Sequence, residues 1–271
     1  MDHVSARTSS TPRDPVLAPA TTIDVLARHA PREHATLALH IACVSKRFRD
    51  RRVIDDVSFD VLPGQSVAIA GINGAGKTTL LRCLLDFMRA DGGRIEIFGV
   101  DSRQARARRA LAYLPERFMP SPHLSGRETL RLLGGLHGLH HADHSIAQVL
   151  DRLEFPREAL TRPVRQYSKG MTQKLGLAAL LLADAPLLVL DEPMSGLDPL
   201  ARRLVTAVLA LERERGRTLI FTSHAPRDIE NLCDRLAVLH GGRLRHFGTP
   251  SELCQCTGTD DLESAFIRTL H

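Results

Sequence analysis

The sequence lacks any uninterrupted hydrophobic run long enough to cross a membrane. The most apolar stretch, residues 175–190, is interrupted by Asp184 and Pro186, and its pattern predicts a helix followed by a buried strand. An apolar leader is missing as well, because residues 1–35 are rich in Ser, Thr, Pro, Ala and Arg. We therefore expect no signal peptide, and any activity at a membrane would depend on a partner.

Signatures of disulfides and of nucleic-acid binding are also missing. The five cysteines are odd in number and scattered, which argues against a disulfide framework and agrees with a reducing compartment. The net charge is only +5, and the richest basic stretch, residues 103–109 (RQARARR), has no aromatic side chain on which a base could stack. We therefore expect no nucleic-acid partner, and no zinc site at the isolated Cys254-x-Cys256 pair.

The arrangement of apolar segments predicts the fold class. Residues 1–35 show little periodicity and are predicted to be a mostly disordered tail, whereas strands alternate with helices in residues 36–271. Near-continuous apolar strands between helices indicate a parallel sheet covered on both faces. These strands are expected at residues 66–70, 111–114, 187–190, 218–222 and 236–239. The expected fold is α/β, with a helical insertion that begins near residue 117.

A glycine-rich segment directly follows the first of these strands. Residues 71–79 (GINGAGKTT) match Gly-x-x-x-x-Gly-Lys-Thr and precede a helix predicted over residues 78–88. Backbone N–H groups can wrap phosphate oxygens where no Cβ interferes, and the positive end of the helix dipole favours the same anion. Lys77 would add a point charge near the β- and γ-phosphates, and Thr78 a hard oxygen for Mg²⁺. The predicted nucleotide-binding residues are Gly71, Ile72, Asn73, Gly74, Ala75, Gly76, Lys77, Thr78 and Thr79.

Two adjacent acids end the buried strand of residues 187–190 (LLVL). Asp191 and Glu192 would therefore lie at the carboxyl end of a strand, where open α/β sheets bind ligands. Asp191 would hold Mg²⁺ directly or through water, and Glu192 would orient and activate an attacking water.

Three further segments occur in a fixed order around these acids. YSKGM at residues 167–171 precedes a helix predicted over 172–183, SGLD occupies residues 195–198, and Thr222-Ser223-His224 follows the next strand. From about residue 37 onward, this ordered set resembles the ATP-binding subunit of an ATP-binding-cassette (ABC) transporter. The resemblance implies a P-loop NTPase with a parallel core sheet, ATP and Mg²⁺ as cofactors, and ATP hydrolysis. It also implies an N-terminal antiparallel β subdomain, an inserted α-helical subdomain at about 117–180, and a C-terminal extension at about 243–271.

The resemblance assigns roles to several single residues. Phe48 matches the aromatic that stacks on adenine, although a phenylalanine of the core is the competing interpretation. Glu192 is implied as the general base, and His224 as the histidine that contacts the γ-phosphate; Lys77 is placed with them in the catalytic set. Glu116 stands where the family usually has Gln, so we expect it to contact Mg²⁺ and to alter the dependence on that metal.

A second set of residues is implied to act in trans. Ser168, Lys169 and the backbone at Gly170 would face the γ-phosphate held by the other subunit of a homodimer, and Asp198 would join the two sites. Two ATP molecules would then hold two subunits together, and hydrolysis would release them. The family's commonest signature is Leu-Ser-Gly-Gly-Gln, so Lys169 and Met171 are departures, and an amide contact from position 171 is lost.

Details of the motifs resemble one branch, the ABC-2-type exporter cassettes. The segments that resemble this branch are YSKGM, LPER, LSGRETL at residues 124–130 and LESAFIRTL at residues 262–270. In that branch the permease is a separate transmembrane polypeptide, here expected to dock near residues 116–127. The subunit would then be peripheral, at the cytoplasmic face of the inner or plasma membrane. The apolar face of the last segment either packs on its own domain or contacts a partner.

Three alternatives stay open at the level of sequence. The first is a soluble ABC ATPase acting on a macromolecular complex, although neither a second cassette nor a long coiled coil occurs in the sequence. The second is a regulatory cassette without turnover, against which Glu192 and His224 argue. The third is the ATPase subunit of a transporter for copper-enzyme maturation. Four histidines at positions 137, 140, 141 and 144 could chelate a transition metal on a helix, but nearby glycines weaken that helix.

Overall fold

The structure is a computed structural model that describes residue 1 and residues 36–270. The tail predicted for residues 1–35 therefore lies, apart from Met1, outside the described residues. The strands in residues 36–270 are β1 Leu39–Phe48, β2 Arg51–Val61, β3 Ser66–Ala70, β4 Gly92–Ile97, β5 Val100–Asp101, β6 Leu111–Leu114, β7 Leu187–Leu190, β8 Thr218–Ser223, β9 Arg235–His240 and β10 Arg243–Gly248. The α-helices are α1 Lys77–Leu84, α2 Ala105–Arg108, α3 Gly126–Leu136, α4 Asp143–Arg152, α5 Lys169–Leu182, α6 Pro199–Glu214, α7 Pro226–Leu232, α8 Pro250–Thr257 and α9 Leu262–Leu270.

The strands form two sheets. The first has the order β2-β1-β4-β5 and is antiparallel throughout, with Leu39 paired to both Val61 and Ile97. The second has the order β10-β9-β3-β8-β7-β6; all its pairs are parallel except β10 with β9. The predicted α/β class, with a parallel core sheet and an N-terminal antiparallel sheet, is confirmed.

The strands of the core sheet are apolar because helices and the first sheet cover them. Every residue of β3, β7 and β8 is buried, which fits the short apolar runs from which they were predicted. Strand β3 lies in the interior of the sheet, between β9 and β8. The glycine-rich segment that follows β3 is thereby held at the carboxyl edge of the sheet, between the segments that follow β8 and β9.

Two helices have different bounds from those predicted. Helix α1 ends at Leu84 and not at residue 88, because Asp86 adopts a left-handed backbone (φ 59°) and the amides of Phe87 and Met88 both donate to Arg82 O. Helix α5 begins at Lys169 and not at residue 172, because Ser168 caps it: Ser168 Oγ accepts a hydrogen bond of 3.1 Å from the Met171 amide.

Helices α3, α4 and α5 lie between β6 and β7 in the chain. Ser125 and Glu128 form a capping box that starts α3: the Ser125 amide donates to Glu128 Oε2 at 2.8 Å, and the Glu128 amide donates to Ser125 Oγ at 3.3 Å. Apolar residues of all three helices, including Leu130, Ile146 and Leu175, belong to one buried cluster. This packing connects the start of α5 to the core of the domain.

The histidine segment does not form the single helix that metal chelation would need. Helix α3 ends at Leu136, Gly138 has φ 71°, and α4 begins only at Asp143, so His137 and His144 lie on separate elements. Among the described residues, no group of three or more His, Cys, Asp or Glu side chains has the geometry of a metal site. The five cysteines, all within residues 36–270, are free thiols.

The part of the chain between residues 36 and 270 contains no helix whose length and apolar character would let it cross a membrane.

Candidate functional site

The loop between β3 and α1 is shaped by its glycines. At Gly76 the backbone φ is 109°, and an added Cβ would lie 2.6 Å from Ile54 Cδ1 and 2.7 Å from Val53 O. At Gly71 an added Cβ would lie 2.6 Å from Leu239 O. These clashes explain why both positions of the predicted pattern are glycine. The first residue of the β3–α1 loop and its last one thus lie against the neighbouring strands β9 and β2.

Lys77 is the first residue of α1, and its side chain turns back over the loop. Lys77 Nζ donates to Gly71 O at 2.7 Å and lies 3.9 Å from Glu192 Oε1. Burial lowers the pKa of Lys77, while the carboxylates of Glu192, Asp191 and Glu116 oppose that change. The three carboxylates favour the charged form of Lys77, so its ammonium places a positive charge beside the loop at the start of α1.

A cavity of about 290 Å³ lies between this loop and the ends of β7 and β8. The described residues that line it are Val53, Ile72, Asn73, Gly74, Ala75, Gly76, Lys77, Thr78, Thr79, Glu116, Glu192, Ser195 and His224. The structure thus brings the predicted loop together with three catalytic candidates from separate segments. Gly71 and Asp191 are buried next to the cavity, and Phe48 is not one of the described residues that line it.

The two acids after β7 are connected to β8 by one threonine. Thr222 Oγ1 donates to Asp191 Oδ1 at 2.7 Å and accepts from the Glu192 amide, also at 2.7 Å. Asp191 is held in place further by its amide, which donates to Leu114 O at 2.9 Å. Both Thr222 and Asp191 are buried, so the hydrogen bonds between them are shielded from water.

Glu192 itself has a left-handed backbone. Its φ of 48° is uncommon for a residue other than Gly, Asn or Asp, and it turns the chain sharply after the strand. The carboxylate then faces the cavity, where His224 Nδ1 lies 3.1 Å from Oε1 and 3.0 Å from Oε2. A histidine protonated at Nδ1 donates to this carboxylate, so Glu192 and His224 orient one another.

The residues predicted to act in trans lie outside the cavity. Ser168 and Lys169 are exposed at the start of α5, and Gly170 is partly exposed. Asp198 is exposed at the start of α6, where its Oδ1 accepts hydrogen bonds of 2.9 Å from the amides of Leu200 and Ala201. Phe48 ends β1 as an exposed side chain, with Lys46 Nζ 5.6 Å from its ring centroid.

A larger cavity of about 770 Å³ lies elsewhere, among the ends of α4, α5 and α6. Charged residues line it, including Arg152, Arg217 and the buried Glu212, whose carboxylate is paired with both guanidinium groups. Of the candidate functional residues singled out in the sequence, only His141 of the histidine segment lines it; no residue of the predicted nucleotide-binding, catalytic or trans sets does. We therefore take the smaller cavity, which holds the phosphate-binding pattern and the two catalytic candidates that contact each other, as the nucleotide site.

Comparison with known proteins identifies the family of this site. The family model described as ABC transporter matches residues 54–195, which include the glycine-rich loop and both acids. The chain belongs to the ABC transporter ATP-binding subunits. A solved structure titled as the ATP-binding subunit of an ABC transporter superposes with a TM-score of 0.80 and 29% identity, covering 87% of this chain and 100% of the other. The chain is therefore an ATP-binding ATPase of the ABC type, a class that works with a membrane permease and as a dimer.

Two groups of relatives support the same family. An ABC transporter ATP-binding protein of Synechocystis is 38% identical over 200 residues, which are 73% of this chain and 56% of the relative. The Nod factor export ATP-binding protein I of Rhizobium etli is 37% identical over 232 residues, covering 84% of this chain and 73% of the relative. A protein of the same name from Burkholderia lata is 38% identical over 226 residues, covering 81% and 74%.

Some residues of this ABC subunit's site had no role assigned from the sequence. Thr222 was noted only as part of a motif, although a polar residue near the end of an otherwise apolar strand is a usable signal. Ser195 lines the cavity, and its amide donates to Glu192 O at 3.0 Å. Gln173, on the buried face of α5, donates from Nε2 to Pro193 O at 3.1 Å. No sequence pattern indicates that contact, because it joins residues 20 positions apart across two elements.

Proposed function

We propose that this chain hydrolyses Mg²⁺-ATP in the 290 Å³ cavity, as a head-to-tail homodimer that drives a separate export permease. The observation that carries the proposal is the contact of His224 with the Glu192 carboxylate, 3.9 Å from Lys77 Nζ. A base, the histidine that orients it and a cation thus meet at the mouth of a phosphate-binding loop. That combination suits the attack of water on a terminal phosphate.

Each side chain of this group has a distinct role in the proposal. Glu192 accepts the proton of the attacking water, and His224 holds that carboxylate while it contacts the γ-phosphate. Lys77 and the amides at the start of α1 stabilise the charge on the phosphate oxygens. Phe48 is proposed to stack on the adenine from the exposed end of β1.

The oxygen ligands around the loop fit magnesium. Thr78 and Glu116 line the cavity, and Asp191 is buried beside it with one oxygen bonded to Thr222. One or two carboxylates with a hydroxyl, completed by phosphate and water oxygens, are the usual ligands of Mg²⁺ in such sites. We propose that these three residues hold the ion. When bound, Mg²⁺ neutralises charge on the phosphate oxygens.

The exposed polar segments support a dimer in which each nucleotide is shared. Ser168, Lys169 and Gly170 start α5, and Asp198 starts α6, so two helix N-termini lie outside the chain's own cavity. Helix N-termini bind anions, because their amides and dipole favour negative charge. We propose that the start of α5 faces the γ-phosphate of the partner, with Asp198 between the two sites.

The names of the relatives and an exposed apolar side chain favour an export permease as the partner. The relatives from Rhizobium and Burkholderia are named as export ATP-binding proteins. Met119, on the segment of residues 116–127 next to Glu116, has 83% of its surface exposed. We propose that this segment receives a helix of the permease at the cytoplasmic face of the membrane. A soluble ATPase acting on a macromolecular complex is not favoured, since these relatives are transport proteins.

The assignment of the base is tested with Glu192→Gln. We expect steady-state phosphate release to fall by at least about a hundredfold, while ATP stabilises a dimer visible by light scattering. Glu230→Gln, an exposed glutamate on α7, serves as the matched control and should hydrolyse ATP at the wild-type rate. Wild-type turnover by Glu192→Gln would show that another group is the base. A regulatory cassette without turnover would show no phosphate release even in the wild type.

Docking of the permease is tested with Met119→Glu. When the chain is produced together with its permease, we expect this charge to remove the ATP-binding subunit from washed membranes, because it would place a carboxylate in an apolar contact. Ile267→Glu, at an exposed apolar position of α9, is the matched control and should stay on the membrane. If both variants remain bound, the segment of residues 116–127 is not the docking site.

A further inference from the structure

The lysine that departs from the common signature lies against the loop that follows Glu192. Gly196, with φ 69°, is so close to this side chain that an added Cβ would overlap Lys169 Nζ and come within 2.8 Å of Lys169 Cε. The side chain at the start of α5 thus crosses the backbone of the SGLD segment of the same chain. The backbone φ of Gly196 favours glycine, and a side chain at this position would require Lys169 to move.

Two further contacts join the same two segments. Gln173, one turn further along α5 and buried, donates from Nε2 to Pro193 O at 3.1 Å. A Cβ at Gly170 would be 4.0 Å from Leu197 Cδ2, so this part of the helix start is also within van der Waals reach of the loop. The start of α5 and residues 193–198 therefore form a single packed unit.

One end of this loop reaches the chain's own nucleotide cavity. Ser195 lines the cavity, and its amide donates to Glu192 O at 3.0 Å. The other end is Asp198, which caps α6 and is exposed. Gly196, which lies against Lys169, follows Ser195 directly in the chain, so Lys169 contacts the loop between its cavity end and its exposed end.

We propose that Lys169 is a positioning residue that holds the loop of residues 193–198 against the start of α5, so that Ser168, Gly170 and Asp198 are presented to the partner's nucleotide as one preformed unit. The proposal rests on the proposed function, because it requires the head-to-tail dimer. Lys169 acts through the backbone of its own chain, while the effect of losing it appears in the nucleotide site of the partner.

Mixed dimers distinguish the effect of Lys169 in one chain from its effect in the other. A small amount of chain with intact Glu192 is combined with an excess of Glu192→Gln chain, so that phosphate release reports only on sites whose trans residues come from the excess chain. Adding Lys169→Met to the excess chain should lower kcat per intact site by roughly tenfold, the cost of a small misplacement of catalytic groups, with KM for ATP changed less than about twofold. Placing Lys169→Met on the intact chain should leave kcat within about twofold of the reference.

The matched control is Lys174→Met in the excess chain. Lys174 lies on the same helix, where its Nζ donates to Glu154 O at 3.4 Å, away from the loop, and its loss should change neither constant. The proposal is overturned if Lys169→Met acts from the intact chain, if it has no effect from the excess chain, or if it raises KM alone, which would indicate direct contact with the partner's nucleotide. If Glu192→Gln chains form no ATP-dependent dimer by light scattering, the proposed function itself fails, whatever Lys169 does.

Discussion

Thr222 and Asp191 share a buried hydrogen bond of 2.7 Å between Thr222 Oγ1 and Asp191 Oδ1. The same hydroxyl accepts the Glu192 amide at 2.7 Å, so one side chain of β8 holds both acids that follow β7. This relationship sets the direction of the Asp191 carboxylate and the position of the sharp turn at Glu192. The geometry of these two acids therefore depends on the pairing of two neighbouring strands.

The role of Thr222 is tested with an isosteric change. Thr222→Val removes the donor to Asp191 and the acceptor for the Glu192 amide, so we expect kcat for ATP hydrolysis to fall by about 10- to 100-fold. Thr222→Ser keeps the hydroxyl and should retain most activity. Thr206→Val, whose Oγ1 bonds only Arg202 O within α6, is the matched control. Phosphate release is the measurement, and an unchanged kcat in Thr222→Val would contradict the role.

Glu116 is expected to influence the dependence on magnesium. Glu116→Gln replaces a charged oxygen ligand with a neutral one, so the Mg²⁺ concentration for half-maximal hydrolysis should rise several-fold, on the order of 3–10 times. The measurement is phosphate release over a titration of Mg²⁺ at saturating ATP. Glu214→Gln, an exposed glutamate at the end of α6, is the control and should follow the wild-type curve. Identical curves for all three proteins would remove Glu116 from the metal site.

Two glycines in helices should respond in opposite directions to alanine. At Gly176 in α5, an added Cβ would be 2.7 Å from Leu114 Cδ1 and 2.9 Å from the Phe118 ring, so Gly176→Ala should lower the free energy of unfolding by about 1–3 kcal/mol. At Gly135 in α3 an added Cβ would meet no atom of other elements within 4 Å, and Gly135→Ala should raise it by up to about 1 kcal/mol. Urea unfolding measures both, and a stabilised Gly176→Ala would refute the packing argument.

His246 on β10 should make the stability of the fold depend on pH. Burial lowers the pKa of His246 below its ordinary value of 6.5. The backbone at Thr249 and Glu252 partly oppose this shift, whereas Arg235 adds to it. The unfolded chain then binds the proton of His246 more readily than the folded one. The contribution of this histidine to the free energy of unfolding is therefore fully present above pH 6.5 and is lost as the pH drops below it.

The measurement for His246 is the Tm at pH 7.5 and at pH 5.5. We expect His246→Gln to show a smaller decrease in Tm between these pH values than the wild type. His144→Gln, which removes an exposed histidine of α4, is the control and should keep the wild-type decrease. Equal decreases in all three proteins would mean that His246 does not contribute to the acid sensitivity.

The elements that the sequence predicted well are those whose pattern is local. Strands β6 and β7 have the predicted bounds, since short apolar runs ended by turn residues specify buried strands. The ends of α1 and the start of α5 were predicted less well, because Asp86 and Ser168 decide them through backbone conformation and capping. The antiparallel edge strand β10 was not predicted. The glycines of the histidine segment did argue against a helix there, and the segment is interrupted at Gly138.

The sequence by itself determined the family and the chemical groups, because the phosphate loop, the pair of acids after a strand and the histidine after the next strand are each a local pattern of the chain. Only the tertiary structure decided which of these groups touch. The contacts of Thr222 with Asp191, of His224 with Glu192 and of Lys169 with Gly196 join positions that are about 30 residues apart. Such contacts arise when parallel strands end at one edge of a sheet and the following segments pack there, which no local pattern encodes.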